Sequence, residues 1–405
     1  MTLAGLNPIP AAVAPQTEAV PFALGELRVA IVHYWFVSHR GGERVVEQIA
    51  GMFPQADLFS LVVDWQALPK SLSQRKVKTS FLQSLPGSSR WHRKLLPLYP
   101  LALEQFDLSD YDLVLTSESG PAKGVLTSSG TCHVCYCHSP MRYLWDFYHQ
   151  YKRRSTGAWI SRPLFTCASH YLRLWDATSA NRVDYFVANS RNVAARIRKH
   201  YRRSSTVIYP PVNVEAGYLA DEVEDYYLVV GQLVDYKRVD LAITACNRLG
   251  RRLRVVGAGE QYARLRKLAG PTVQFCGGVS DKDLQEQYAH CRALLFPCEE
   301  DFGIVPVEAL SFGRPVIAYG RGGVRESVVG SCEEAGISPE NATGVFFAEQ
   351  SWESLAAAIR KFEAEEHRFR PAHIKQQADR FAPHRFRKNF GTYLSEKWEE
   401  FRTDL

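Results

Sequence analysis

Residues 293–329 read ALLFPCEEDFGIVPVEALSFGRPVIAYGRGGVRESVV, and this stretch decides the fold class. It opens with Ala293–Pro297, a short apolar run typical of a buried parallel strand. Pro306 fits the first turn of the helix that follows, because the N–H that it lacks would have no partner there. Gly313 ends this helix, and residues 315–318 begin another strand. The alternation of strands, loops and helices predicts an α/β fold with parallel strands.

The same stretch contains two glutamates, Glu300 in the acidic loop and Glu308 in the helix. The carboxyl edge of a parallel sheet presents helix N-termini and bare N–H groups, and anionic nucleotides bind there. A carboxylate near a helix N-terminus is also explained by its favourable interaction with the helix dipole. Eight helical residues span ~12 Å along the axis, whereas the carboxyl pairs of glycoside hydrolases lie roughly 5–9.5 Å apart. We therefore expect the two glutamates to make separate contacts rather than to form one acid/base pair.

The length of 405 residues favours two domains. An apolar content of 46% and a charged content of 23% are typical of a globular protein rather than a disordered one. No apolar run reaches the ~18–20 residues that a membrane-spanning helix needs. Residues 1–26 are rich in Ala and Pro and lack the basic start and apolar core of a signal peptide, so we expect a flexible tail. Nine cysteines, three of them crowded at positions 132, 135 and 137, indicate a reducing compartment such as the cytoplasm.

The whole chain has a net charge of +6, and the positive charge is concentrated in its first half. Between Asp64 and Glu104 there are seven Lys and Arg residues and no acid, and residues 147–175 and 185–214 follow the same pattern. These segments also contain aromatic residues such as Trp91. Nucleic acid, an anionic membrane surface and an acidic ligand would each suit such a surface. An ordinary solvated face explains it as well.

Two features of the first half follow predicted strands. Residues 27–32 form an apolar run, and Gly41 and Gly42 come shortly after it, just before a helical pattern that starts at Val45. A strand, a Gly-Gly turn and a helix together predict an anion-binding turn, although the pair lacks the G-x-G-x-x-G spacing of dinucleotide sites. His138 comes directly after the predicted strand at residues 131–137, where a sheet presents functional side chains. A core or capping role would also explain this histidine.

The second half repeats the strand-and-helix alternation, which predicts right-handed crossovers and a second parallel sheet. Strands are predicted at residues 227–230, 253–256 and 273–275, and a helix at residues 239–249. Each of these strands is followed by a glycine loop, which runs from Gly231 to Arg238 after the first, starts at Gly257 after the second and runs from Gly277 to Ser280 after the third. Lys237 in the first of these loops supplies a point charge for an anion, and loop N–H groups supply aligned dipoles.

The prolines at positions 210 and 211 stiffen residues 207–213, where we place the linker between domains. The expected organisation is a first domain at residues 27–212 and a second at 213–383. Residues 384–405 are predicted to form a C-terminal helix.

The sequence from Glu300 to Glu308 resembles the E-x7-E motif of the family 4 (group 1) retaining glycosyltransferases, and residues 313–318 and 322–326 resemble its flanks. The His-Ser-Pro at 138–140 and the Ala-Asn-Ser at 188–190 are similar to motifs of the same family, in the same order. The resemblance implies a GT-B fold, in which two Rossmann-like domains face each other across a deep cleft. It also implies that the final helices cross back onto the first domain. The match is closest to the mannosyltransferase-like branch that builds bacterial surface polysaccharides.

The resemblance also implies roles for individual residues. His138 would approach the donor sugar, Lys237 would bind the diphosphate, and Glu300 would lie beside the sugar and the leaving phosphate. Glu308 would hold the ribose hydroxyls, and backbone groups around residues 277–280, which include Val279, would contact the base. The other expected donor-binding residues are Gly41, Gly42, Gln232, Arg238, Gly257, Val279, Phe302, Gly303 and Ile304. Many relatives have an arginine where this chain has Gln232, so we expect Arg238, Arg40 or Arg44 to supply the missing charge.

The implied activity is transfer of a hexose, with mannose from GDP-mannose as the best guess, to a lipid-diphosphate-linked saccharide in surface polysaccharide or lipopolysaccharide synthesis. Because no protein nucleophile is evident, retention would proceed by front-face attack, with the departing phosphate helping to deprotonate the acceptor. No metal and no other cofactor is expected: the D-x-D tripeptides at 110–112 and 281–283 do not directly follow a strand. We expect a cytoplasmic enzyme, peripheral on the inner membrane, whose basic first domain touches anionic lipid and binds no nucleic acid.

Three alternatives stay open. The same fold could use a UDP- or ADP-sugar as an N-acetylglucosaminyl-, glucosyl- or galactosyltransferase. It could also belong to a starch- or sucrose-type synthase, or to a relative of glycogen phosphorylase, which binds pyridoxal phosphate. A non-catalytic binding module would fit the basic segments, but it would leave the donor-site motifs of the second half unexplained.

Overall fold

The computed structural model describes residues 22–38, 41–154, 161–331 and 336–405, and it confirms the predicted α/β class. Seven parallel strands form the first sheet in the order β3-β2-β1-β4-β5-β6-β7. They are β1 Val29–Phe36, β2 Asp57–Val63, β3 Val77–Thr79, β4 Leu113–Glu118, β5 Cys132–Cys137, β6 Tyr185–Ala188 and β7 Thr206–Val207.

Six parallel strands form the second sheet in the order β10-β9-β8-β11-β12-β13. They are β8 Tyr227–Val230, β9 Leu253–Val256, β10 Val273–Gly277, β11 Ala293–Phe296, β12 Val316–Tyr319 and β13 Gly344–Phe347. The two sheets lie on either side of the predicted linker, and the exact domain limits stay predictions.

Helices cover the sheets, as crossover connections between parallel strands require. In the first half they are α1 Phe22–Gly25, α2 Gly41–Met52, α3 Ser88–Trp91, α4 Tyr99–Glu104, α5 Tyr148–Arg154, α6 Ser161–Ser179 and α7 Arg191–His200. In the second half they are α8 Val239–Leu249, α9 Tyr262–Leu268, α10 Asp281–His290, α11 Ile304–Ser311, α12 Val324–Ser327, α13 Trp352–Glu365, α14 Pro371–Ala378 and α15 Pro383–Asp404. Within the described residues, none of these helices combines the length and the apolar character needed to cross a membrane.

The last helix, α15, confirms the expected crossing back to the first domain. Its buried side chains Phe386, Phe390 and Leu394 belong to the same apolar cluster as Ile31 of β1 and Ile49 of α2. Each such side chain contributes roughly 1.5–3 kcal/mol when it is fully buried. The end of the chain is therefore an integral part of the first domain's core.

The N-terminal boundary of the fold differs from the prediction of a flexible tail over residues 1–26. Phe22–Gly25 forms helix α1, and its Leu24 is fully buried in the core that α15 completes. The sequence did not predict this, because the Ala- and Pro-rich segment around Leu24 has no apolar period that indicates a buried helix. Residues 1–21, and with them most of the predicted tail, lie outside the described residues.

The strand order places a crevice in each sheet. It reverses between β1 and β4 in the first sheet and between β8 and β11 in the second. At such a switch point the connections leave toward opposite faces, and the carboxyl edge is open to a ligand. In the second sheet, the loops at this point are residues 231–238 after β8 and residues 297–303 after β11.

Candidate active site

The two loops at the second switch point bring together two of the predicted catalytic residues. Lys237 Nζ forms an ion pair with the Glu300 carboxylate, and the side chains are only 13% and 17% exposed. Lys237 ends a short 3-10 turn after β8, and Glu300 lies in the acidic loop after β11. A lysine charge and a carboxylate therefore meet at the edge where α/β sheets bind anionic ligands.

Glycine allows the neighbouring loops to stack against these residues. Gly257, after β9, has φ 135°, and a Cβ atom there would lie 1.9 Å from the carbonyl oxygen of Gly231. The loops are joined by backbone hydrogen bonds, from Gly231 N to Val256 O at 3.0 Å and from Gly257 N to Gly277 O at 2.7 Å. Gly257 thus shapes the edge by close backbone approach; its contact with a donor stays a prediction.

In the loop between Glu300 and α11, the predicted donor-binding residues are Phe302 and Gly303, and both would contact a donor through their backbone. Phe302 is buried, and its ring packs on Tyr209 and Phe381, with centroids 5.8 and 5.3 Å away. Its side chain therefore belongs to the core, and only its backbone remains for the predicted donor contact. Gly303 has φ 86° and caps α11, a conformation that glycine adopts without strain.

Glu308 lies in the cleft and contacts the first domain. One carboxylate oxygen accepts a hydrogen bond from Arg44 Nη1 and the other from the Tyr288 hydroxyl, each at 2.8 Å. Burial lowers the pKa of Arg44, but the charge and hydrogen bond of Glu308 more than offset this, and the pKa is raised. Beside this pair lies a cavity of about 80 Å³ that is also lined by Asp281 and Asn213.

Gly41 and Gly42 were predicted as a turn before a helix that starts at Val45, but they form the first turn of helix α2, which packs against the second domain. A Cβ atom at Gly41 would lie 2.4 Å from Ile304 Cδ1, so a larger residue there would require the Ile304 side chain to move. A Cβ atom at Gly42 would lie 3.6 Å from His138 Nε2, which places the predicted histidine directly beneath the turn. His138 Nε2 is 2.9 Å from Ser117 Oγ, and burial together with nearby His33 lowers its pKa to about 3. His138 is therefore neutral near pH 7 and suited to hydrogen bonding.

Two of the three arginines expected to compensate for Gln232 are engaged elsewhere in this structure. The Arg238 guanidinium contacts the Asp240 carboxylate at 3.1 and 3.3 Å, in the first turn of its own helix. Arg44 is bonded to Glu308, and Arg40 lies outside the described residues. Val279 packs against the core of the second sheet, so its predicted base contact would be through backbone.

Sequence reasoning missed how the acidic loop meets the first domain. Ser190 caps α7 by accepting from Val193 N at 3.1 Å, and its hydroxyl also donates to Asp301 O at 2.6 Å. The Glu326 carboxylate accepts from the N–H groups of Arg191 and Asn192. Arg142 and Arg196 also reach this loop, and no local sequence pattern marks them.

Residues 39–216 match the family model described as Glycosyltransferase Family 4, and residues 214–381 match that of Glycosyl transferases group 1. The chain belongs to the group 1, family 4 glycosyltransferases. The two matches together cover residues 39–381, which include every strand of the two sheets except β1, and they confirm the predicted family.

Several mannosyltransferases resemble this glycosyltransferase. It is 26% identical over 241 residues to human Alpha-1,3/1,6-mannosyltransferase ALG2, covering 49% of this chain and 58% of the relative. It is 32% identical over 148 residues to the GDP-mannose-dependent alpha-(1-6)-phosphatidylinositol monomannoside mannosyltransferase of Mycobacterium tuberculosis, covering 32% and 36%. It is 29% identical over 156 residues to O-antigen chain mannosyltransferase C of Escherichia coli, covering 34% and 42%. The chain thus spans between a third and three fifths of these relatives.

Solved structures confirm the GT-B fold of this glycosyltransferase. Anabaena Alr3699/HepE in complex with UDP superposes with a TM-score of 0.66 at 16% identity, covering 91% of this chain and 100% of that one. Sucrose-phosphate synthase from Thermosynechococcus elongatus gives a TM-score of 0.67 at 17% identity, covering 92% and 100%. At these identities the likeness concerns the fold alone.

Proposed function

We propose that this glycosyltransferase moves mannose from GDP-mannose to a lipid-diphosphate-linked saccharide in surface polysaccharide or lipopolysaccharide synthesis. The contact between Lys237 and Glu300 at the second switch point carries the proposal. Breaking the bond between sugar and diphosphate builds negative charge on phosphate and positive charge on the sugar ring. Lys237 stabilises the negative charge on the phosphate, and the Glu300 carboxylate stabilises the positive charge on the sugar ring. Both side chains lie in a partly buried site, where electrostatic interactions are strengthened.

The remaining site residues position the donor. Glu308 binds the ribose hydroxyls, with Arg44 and Tyr288 holding its carboxylate in place. His138, neutral and bonded to Ser117, offers a hydrogen bond to the sugar. Attack occurs on the face that the diphosphate leaves, and the phosphate accepts the acceptor's proton, so the configuration is retained. The protein acts through positioning and charge, and neither a metal nor a protein nucleophile takes part.

Two observations support guanosine over uridine in the donor. The relatives described above are mannosyltransferases, and the mycobacterial one is GDP-mannose-dependent by name. The cavity beside Glu308 is also lined by Asp281, and guanine offers its N1–H and its amino group to a single carboxylate. Uracil offers one N–H, so it pairs less well with such a group. UDP-sugar use remains the second candidate, because HepE of the same fold binds UDP.

The first domain is proposed to meet an anionic membrane at its apolar and basic surface. Helix α6 exposes Leu164, Tyr171 and Leu174, which are 67%, 50% and 56% accessible and fall on one helix face. Lys152 lies on the neighbouring helix α5. An apolar face with basic neighbours suits the interface of a bilayer that carries anionic lipid. This contact would place the enzyme on the cytoplasmic leaflet, where a lipid-linked acceptor is available.

A thermal-shift screen tests the donor assignment. GDP and GDP-mannose should raise the melting temperature more than UDP-, ADP- and dTDP-sugars at equal concentration, because at equal concentration the ligand with the lower Kd stabilises the folded state more. Transfer of radiolabelled mannose to a lipid-linked saccharide, in the presence of EDTA, then tests the reaction and its independence of metal. A larger shift with a UDP-sugar would transfer the proposal to the second candidate, and no shift with any nucleotide would contradict it.

A further inference from the structure

The three carboxylates of the acidic loop, at residues 299–301, point in two directions. Glu300 turns to Lys237 within its own domain, whereas Glu299 and Asp301 face arginines of the first domain. This alternation is what an extended segment produces, because successive side chains point to opposite sides. Movement of the first domain against this loop would therefore displace Glu300 as well.

Arg196 on α7 contacts carboxylates of three different residues, two of which lie in the acidic loop. Its guanidinium pairs with Asp301, lies 3.7 Å from a Glu299 carboxylate oxygen, and is held from behind by Asp146 at 3.2 Å. The side chains of Arg196 and Asp301 are only 12% and 18% exposed, so the charges of this pair are largely shielded from bulk water. Arg142 adds a second grip, with Nη1 at 3.5 Å from Asp301 and both terminal nitrogens at 3.4 Å from Glu299 O.

The same helix is fixed to the far side of the loop. The N–H groups of Arg191 and Asn192 donate to the Glu326 carboxylate at 2.8 and 3.1 Å, at the N-terminus of α7, where a carboxylate is favoured. Glu326 lies on α12, which follows the Gly322-Gly323 turn, and Gly323 N donates to Glu300 O at 2.9 Å. The loop that carries Glu300 is thus held between α12 and α7.

We propose that Arg196, supported by Arg142, is a positioning residue that places Glu300 for transfer only when the two domains are closed. The proposal rests on the proposed glycosyl transfer, in which Glu300 stands beside the reacting sugar. We call the contacts of Arg196 and Arg142 with the acidic loop the clamp. The donor contacts of Glu308 and of the glycine loops after β8, β9 and β10 belong to the second domain and do not involve this clamp. Its loss should therefore slow the chemical step while leaving donor binding nearly intact.

Three variants test this clamp in the full-length enzyme. Arg196→Gln removes the charge, Asp301→Asn removes its partner, and Arg198→Gln is the matched control because it lies exposed on the same helix. We expect kcat to fall about 10- to 100-fold in the first two variants, the loss that a small misplacement of a reacting group produces. The donor KM and the GDP affinity measured by calorimetry should change less than about twofold. The double variant should lose less than the product of the two single losses, because both substitutions break the contact between Arg196 and Asp301.

Amide hydrogen exchange of residues 299–303 gives a readout that needs no activity. Protection of this loop should fall in Arg196→Gln and stay at the wild-type level in Arg198→Gln. Wild-type turnover and protection in Arg196→Gln would overturn the clamp, even if the enzyme transfers mannose as proposed. A wild-type enzyme that transfers no sugar, but whose loop loses protection in Arg196→Gln, would overturn the proposed function and the role of Arg196 in it, leaving the contact purely structural. A GDP affinity that falls in step with kcat would likewise overturn the separation of positioning from binding.

Discussion

The Glu308 carboxylate of the second domain and the Arg44 guanidinium of the first meet across the cleft, with Oε1 and Nη1 2.8 Å apart. A donor whose ribose binds Glu308 must share this carboxylate with Arg44 or displace it. Donor binding at this carboxylate therefore has to accommodate the contact with Arg44.

Glu308→Gln should weaken donor binding rather than slow the chemistry. A neutral amide accepts weaker hydrogen bonds than a carboxylate and loses the pair with Arg44, so we expect the donor KM to rise about 10- to 100-fold, the loss of one charge-assisted hydrogen bond. Steady-state kinetics with varied donor measures this, with exposed Glu353→Gln as the control. A fall in kcat at unchanged KM would assign Glu308 to the reacting centre instead.

Lys237→Met should remove the charge that stabilises the departing diphosphate. Loss of such a group from a preorganised site lowers kcat by about 10²–10³-fold, and Glu300→Gln should act in the same direction. The exposed Lys361→Met serves as the control for loss of a lysine. Turnover at the wild-type rate in either Lys237→Met or Glu300→Gln would contradict the assignment of that residue.

Gly257→Ala should destabilise the second domain through its backbone. The residue has φ 135°, and the added methyl would lie 1.9 Å from Gly231 O, so the two loops would have to separate. We expect a loss of about 2–4 kcal/mol in the free energy of unfolding, from strain and steric overlap together. Gly51→Ala in helix α2 is the matched control, since nothing lies within 4 Å of its added methyl, and it should stabilise by about 0.5–1 kcal/mol. Equal melting temperatures for the two variants would contradict the close approach.

Glu118 should make stability depend on pH. The side chain is fully buried, and burial raises its pKa to about 7, although Lys123 at 3.6 Å opposes the shift. Because the folded state holds this proton more tightly than the unfolded state, the stabilisation is present below pH ~4.5 and is lost as pH rises to ~7. The unfolding free energy of the wild type minus that of Glu118→Gln should therefore fall by at most about 3 kcal/mol between these pH values. Urea unfolding at a series of pH values measures it, and a rising difference would reverse the sign.

Membrane contact through α6 predicts lipid-selective binding. Leu164→Ser with Leu174→Ser should reduce co-sedimentation with vesicles that contain phosphatidylglycerol by about tenfold, because two exposed apolar side chains are lost from the interface. Leu268→Ser, at a 42% exposed leucine of the second domain, should bind as the wild type does. Equal loss in all variants, or equal binding to pure phosphatidylcholine vesicles, would contradict this surface.

The sequence predicted local elements well where an apolar run has clear ends. The bounds of β8, α8 and β9 agree with the prediction at every residue, because glycine follows each element and apolar positions repeat at the right period. The first strand was predicted to end at residue 32 but continues to Phe36, through buried His33. His33 Nδ1 contacts the Ser117 carbonyl at 3.0 Å, a partner 84 positions away that no local pattern reveals.

In the candidate site, too, local features were predicted and contacts between positions far apart in the sequence were not. The resemblance to a family motif predicted Lys237 and Glu300, and the structure places them in contact, since both follow strands at one switch point. The partner of Glu308 was beyond prediction, because Arg44 is 264 positions away and on the other domain. Contacts between domains depend on the packing of two separate surfaces, and periodicity within either surface carries no information about the other.

Helix α15 packs in the core of the first domain, although it follows the whole second sheet in the chain. During synthesis on the ribosome, Phe386 and Phe390 can therefore reach the first sheet only after the second domain has emerged. In a chimeric enzyme, a second domain taken from a relative would have to be spliced in before residue 383, so that the recipient keeps its own α15. The second domain is then exchanged as an insertion within the first.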